Sequence, residues 1–484
     1  MTAAHQIELL APARDLACGL AAINHGADAV YIGGPHFGAR AAARNSLADI
    51  EKLIRHGHLF GVRLYITLNT LFEDCELDSV VRLIYRLHDM GVDGIIIQDM
   101  GLLECDLPPI PLHASTQQNN RTAEKVSFLE KVGFQQVVLA RELSLEDIAS
   151  IRKASTIALE FFVHGALCVS YSGQCYISEL VAGRSANRGE CAQFCRHKFT
   201  LRDGRGRVIA KDRHLLSLKD LDLSAHLSSL IAAGISSFKI EGRLKDENYV
   251  KNITAYYRSA LDRIMGGKPS LQRSSDGHCS FSFIPDPTGS FNRGGTDYFL
   301  VNRSNDVATL DSTQSIGRRL GRVQRIDRVE GSFILDTVET IRNGDGLCYY
   351  KSGGGLCGIK VNRVEGRKIF PRSLPNIDLK TIVYRNFDTG FAKKLSGSHD
   401  CRFISVAMFL SETDRGLQLK LKMKTGYVPP RNWRRKGRWP QGRIWPVALP
   451  KNSCKNAVAL FFMWMKSSLR SAVMSFSQRR SLTV

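Results

Sequence analysis

Cys168, Cys175, Cys191 and Cys195 follow the spacing C-x6-C-x15-C-x3-C, the densest gathering among the twelve cysteines of this 484-residue chain. Four thiolates this close point to a metal or a cluster, because soft sulfur ligands select zinc or iron–sulfur centres. Structural zinc favours cysteine pairs roughly two to four residues apart, which the second pair fits and the first does not. A cluster tolerates wider, uneven spacing provided that four thiolates converge. Gly165, Gly173 and Gly189 give the backbone the freedom such a wrap requires. Spacing alone leans towards a cluster over zinc, with buried, unligated cysteines a distant third reading. The other eight cysteines, from Cys18 to Cys454, are scattered and read as packing residues.

The elements that must position these thiols repeat one pattern. HGADAVYIGG (25–34), FGVRLYITLN (60–69), MGVDGIIIQD (90–99), VGFQQVVLAR (132–141) and AGISSFKIEG (233–242) each join a glycine, a short apolar run and polar residues. The glycine suits the left-handed end of a helix, and the run suits a strand buried on both faces of a parallel sheet. IELLAPA (7–13), IPLHAST (110–116) and ALEFFVHG (158–165) add three strands of the same kind. Helix-period segments lie between, such as the Val80, Val81, Leu83, Ile84, Leu87 stripe and SLEDIASIRKA, where Ser144 and Asp147 approximate a capping box. Eight alternating strands predict an α/β fold, a (β/α)8 TIM-like barrel over 1–270; an open doubly wound sheet is the runner-up, weakened by the lack of G-x-G-x-x-G. The cysteines occupy an insertion at 166–225, between the seventh and eighth strands, on the end of the barrel where such folds build their sites.

Past about residue 270 the helix rhythm stops. Short strand-like runs with glycine-rich turns predict a β-rich, barrel-like domain over 280–395, and a third module starts at 400–426. The charge is uneven. Of the net +21, sixteen Lys and Arg follow Asp414 with no acid among them, so the first 414 residues carry about +5. The body therefore lacks the overall basic character of a protein that coats nucleic acid. From 427 to 484 the chain reads as an aberrant basic tail, frameshifted in composition, with an RNA-binding tail the competing reading. No secretory signal or membrane span is expected, which implies a cytoplasmic location without disulfides.

Glu160-x-Phe162-x-x-Gly165-Ala166-Leu167-Cys168-x4-Gly173-x-Cys175-x-Ile177-Ser178 resembles the signature of the collagenase-like peptidase family, number thirty-two of the unknown-type class. The resemblance runs over roughly 5–425, through ELLAPARD, GADAVYIGG, LHASTQ, LARELSLEDI, GRSANRGEC and FKIEGRLKD. It is strongest to the branch that forms 5-hydroxycytidine in ribosomal RNA. The resemblance implies a barrel enzyme with a 4Fe-4S cluster on Cys168, Cys175, Cys191 and Cys195. It also implies prephenate as co-substrate, with ribosomal RNA and an electron donor as partners. A collagenase-like peptidase is the first alternative, and a non-catalytic iron–sulfur partner protein the second. Neither H-E-x-x-H nor G-x-S-x-G is present, and a cysteine protease would need His164 or His197 beside one thiolate.

Candidate catalytic residues come from the predicted strand ends: His113, Gln117, Glu160, His164, Lys239 and Glu241. Arg141 and Arg243 are candidate partners for a carboxylate, which a guanidinium binds bidentately, and Glu142 and Glu241 are candidate ion-pair partners for those arginines. For each of these residues a satisfied polar group at a barrel rim is an equally good reading.

Overall fold

The structure is a computed structural model that describes residues 5–39, 45–351, 354–398, 400–413, 416–423 and 426–433. Eight strands are parallel: β1 His5–Ala13, β2 Ala29–Gly33, β3 Arg63–Leu68, β4 Gly94–Ile97, β5 Leu112–Ala114, β6 Gln136–Val138, β7 Ala158–Ala166 and β8 Ser237–Ile240. They pair in chain order, and β8 pairs with both β7 and β1, so the sheet closes on itself. This is the expected TIM-like barrel and not the open sheet. Gly26, Gly61, Gly91, Gly133 and Gly234 all take positive φ just ahead of a strand, which is why the glycine recurs in each repeat. Leu10, Ala29, Tyr31, Tyr65 and Ile96 pack the interior.

The expected helices lie between the strands. Asp74–Asp89 buries Val80, Ile84 and Leu87. In Leu145–Ala154, the Ser144 hydroxyl accepts from the Asp147 N–H, and the Asp147 carboxylate accepts from the Ser144 N–H. The 20-residue helix Glu247–Gly266 is fastened by Arg258, fully buried, which donates to Asp28 at 2.9 Å.

A second, antiparallel barrel follows. Its strands are β9 Arg318–Asp327, β10 Ser332–Leu335, β11 Gly346–Tyr350, β12 Leu356–Glu365, β13 Lys368–Pro371 and β14 Ile382–Phe387. They close in the order β9-β10-β13-β12-β11-β14 around Val323, Phe333, Leu347, Val361 and Val383. Asp276–Ser280 and the chain from Cys401 form a separate unit, in which β15 Val406–Thr413, β16 Gly416–Met423 and β17 Gly426–Trp433 make an antiparallel sheet. The expected boundary at 426 therefore falls at the start of a strand. Pro429 and Pro430 lack the N–H a central strand must donate, which suits β17 to the edge position it holds. The remainder of the expected tail, 434–484, lies outside the described residues. No helix among the described residues is long and apolar enough to cross a membrane.

Candidate functional site

Beyond β7 the chain must turn across the barrel mouth, and three contacts fix how it does so. Gly165 takes φ +106°, and a Cβ there would come within 2.9 Å of Glu241. Gly173 lies so close to strand β5's exit that a Cβ would stand 1.8 Å from the Gln117 carbonyl oxygen; any side chain would lift the loop away. The Ser178 hydroxyl accepts from the Ala192 N–H at 3.1 Å, tying the loop of the first cysteine pair to that of the second. Two arginines clamp the rest. Arg188 donates to the Leu71 carbonyl and to both oxygens of Glu76 at 2.9 Å, and Arg196 donates to the carbonyls of Leu167 and Leu218.

As a result Cys168, Cys175, Cys191 and Cys195 line one cavity of about 370 Å³ with Gln117, Arg141, Phe162, Lys239, Glu241 and Arg243. Glu241 is the one carboxylate among the described lining residues, against three cationic side chains, so the cavity is suited to an anion. Arg141 donates to the Ala166 carbonyl at 2.8 Å and covers the Phe162 ring at 3.8 Å; Arg243 donates to the Thr67 hydroxyl. Glu241 accepts from the Ala166 N–H at 3.4 Å, and Oε1 of Glu142 is buried without a hydrogen-bond partner. The side chain of Gln117 is held by Asn69, whose amide donates to its oxygen at 2.6 Å.

One layer deeper, Lys239 Nζ stands 2.6 Å from Glu160 Oε1, both buried, with Gln136 donating to the other oxygen of Glu160. Lys239 Nζ also lies 4.6 Å above the Tyr31 ring. Burial lowers the affinity of Lys239 for its proton, and the Glu160 carboxylate works against that loss. His113 sits in the same interior layer, edge-on to Tyr65 at 4.5 Å, and its Nδ1 has no partner. Burial, then the positive charges of Lys239 and Arg63, push its pKa down from 6.5 to about 3. His113 is therefore neutral across the physiological range. As pH falls below 6.5 the unfolded chain takes up a proton that the folded chain refuses, so this ring's share of stability is lost as acid is added. We expect thermal unfolding of wild type to drop between pH 7 and pH 5 more steeply than that of His113→Phe.

His164 is placed differently from the expectation that it faces the site. Glu160, Phe162 and Lys239 point inward by strict alternation, but the pairing of β7 with β8 slips between Lys239 and Ile240. His164 consequently pairs with outward-facing Ile240, and its ring packs 5.4 Å from Tyr257 of the outer helix, whose hydroxyl lies 3.3 Å from Nδ1. His197 packs on Phe194. Neither histidine is hydrogen-bonded to a cysteine among the described residues. Burial raises the thiol pKa of Cys168 and Cys195.

The donor set instead fits a cluster. The four thiols face one space, and the positive charges of Arg141 and Arg196 favour the thiolate forms of Cys168 and Cys195 respectively, against burial. A four-iron cluster would take four such thiolates, each on a different iron.

Residues 14–309 match the model of peptidase family U32, more than half of the chain. The chain belongs to the U32 family. Among curated relatives it is 46% identical over 432 residues to the "23S rRNA 5-hydroxycytidine C2501 synthase" of Escherichia coli (strain K12), covering 87% of this chain and 66% of the relative. It is 36% identical to "tRNA hydroxylation protein P1" of Bacillus subtilis (strain 168), over 53% of this chain and 63% of that one. It is 31% identical to a "Collagenase" of Porphyromonas gingivalis, over 54% and 67% respectively. The chain thus spans just under two thirds of the first two relatives' own lengths.

Asn69, Thr67 and Tyr31 line this U32 site and were not singled out by the sequence reading. The signal was present: Asn69 closes the repeat FGVRLYITLN as Arg141 closes VGFQQVVLAR.

Proposed function

We propose that this chain hydroxylates a cytidine of large-subunit ribosomal RNA to 5-hydroxycytidine, with a 4Fe-4S cluster and prephenate as co-substrate. The observation that carries the reading is the convergence of four cysteines with Arg141, Arg243 and Glu241 on one cavity at the barrel mouth. The U32 relatives named for RNA hydroxylation support it.

Cys168, Cys175, Cys191 and Cys195 would hold the cluster, which when bound supplies electrons or Lewis acidity to the cavity. Arg141 and Arg243 offer two guanidinium forks, matched to the two carboxylates of prephenate. Tyr31 and Phe162 line the cavity with aromatic rings, over whose faces Lys239 and Arg141 lie. A base in a duplex cannot reach this depth, so the target must be unpaired or flipped out. Glu241 is the one carboxylate among the described lining residues and can accept a hydrogen bond from the exocyclic amine of a cytosine.

Calorimetric titration with prephenate tests the anion site. Arg243→Gln removes one charged fork and is expected to weaken binding about 10- to 100-fold with iron content unchanged. Wild-type protein that fails to bind prephenate would count against this part of the reading, and hydrolysis of gelatin by the pure chain would favour a peptidase.

A further inference from the structure

A concentrated run of positive charge lies outside the cavity. Between Arg196 and Arg213, seven of eighteen residues are Lys or Arg and two are Asp, a net of +5 that equals the net charge of the first 414 residues together. This segment folds as a hairpin, Phe199–Arg202 against Val208–Arg213. Its base is rigid: Arg196 is fixed to the Leu167 and Leu218 carbonyls, His214 Nδ1 lies 2.8 Å from the Arg196 carbonyl oxygen, and Arg213 pairs with Asp311 at 2.8 Å. Its tip is open among the described residues: a Cβ added at Gly204 or Gly206 would meet no atom of theirs within 4 Å. The two aspartates are taken up by Lys198 and Arg207, while Arg202, Arg205 and Lys211 are exposed. Leu201, Val208 and Ile209 are exposed as well, an unusual expense of apolar surface on so small an element.

We propose that residues 199–213 form an RNA-binding arm that grips the phosphate backbone of the ribosomal RNA beside the base held in the cavity. The inference rests on the hydroxylation reading above. The arm starts four residues after Cys195, so its position relative to the cavity is set by the same loop that carries the cysteines. Four of its five cations are arginines, whose planar forks match phosphate oxygens. A narrow ribbon with charge along both strands follows a polynucleotide better than it covers a flat acidic protein. Its exposed Leu, Val and Ile suit the wide, shallow minor groove of an RNA helix.

The test uses the full-length chain carrying Arg202→Ala, Arg205→Ala and Lys211→Ala, none of which packs against the cavity. Binding to deproteinised large-subunit RNA from a strain lacking the gene is measured between about 50 and 200 mM salt. We expect at least about tenfold weaker binding near 150 mM and a log–log salt slope shallower by about two to three, with iron content and prephenate binding unchanged. A variant with wild-type affinity and slope overturns the arm; if it also loses hydroxylation, the hairpin serves an acidic protein instead. Failure of the hydroxylation reading looks different: wild-type protein then binds RNA and leaves its cytidines unmodified.

Discussion

Replacing Cys191 by alanine is expected to strip the protein of its iron while leaving the barrel folded. Cys191 lies in a surface loop past the barrel mouth, held by Arg188 and Ser178 and not by its own side chain. Deleting its thiol therefore removes a ligand without opening the core. After anoxic purification, wild-type protein should carry about four irons and four acid-labile sulfides per chain, with a broad visible absorption. The Cys191→Ala protein should lose that absorption and most of its iron, with an unchanged far-ultraviolet circular dichroism spectrum. Zinc at about one ion per chain in place of iron would sink the cluster assignment. The same loss is expected for Cys168→Ala, Cys175→Ala and Cys195→Ala, because in the proposed cluster every thiolate would ligate a separate iron.

The largest effect on stability is expected at Glu160. Its carboxylate is fully buried, takes Lys239 at 2.6 Å, and has Gln136 on its other oxygen. Glu160→Ala leaves an ammonium in the barrel interior with no counter-charge. Breaking a buried pair in this way costs about 3–5 kcal/mol. Lys239 can limit the loss by giving up its proton, since burial already lowers its pKa from 10.5. The folded variant would then bind one proton fewer than the unfolded chain at neutral pH. Its stability should accordingly rise as pH climbs towards 10.5, a trend weaker or absent in wild type. Denaturant unfolding at pH 7 and pH 9 checks both statements. A loss under about 1 kcal/mol, flat with pH, would show that Lys239 does not depend on Glu160.

Much of the fold was legible because its signals are local. Each of the eight strands announces itself by an apolar run after a helix-ending glycine, and the Ser144–Asp147 box marks its helix start. The cysteine cavity was legible for a related reason: long insertions after barrel strands fall at the mouth. What escaped depended on register and on distant partners. Strict alternation points His164 inward, and only the slip between β7 and β8 reverses it. Glu160, Lys239 and His113 read as rim residues, yet they form a polar layer inside the barrel, and nothing in the sequence pairs position 160 with position 239. The clamp from Arg188 to Glu76 spans 112 residues and has no local signature. The hairpin was hidden because its charge was averaged into a nearly neutral body.

The central claim is that the four-cysteine cavity hydroxylates RNA. The most direct measurement is nucleoside mass spectrometry of large-subunit RNA from a gene-deleted strain complemented with wild-type or Cys191→Ala chain, both confirmed as soluble and expressed. The account predicts 5-hydroxycytidine absent in the deletion strain, restored by wild type and not by Cys191→Ala. Equal restoration by both chains, or 5-hydroxycytidine unaffected by the deletion, would contradict it.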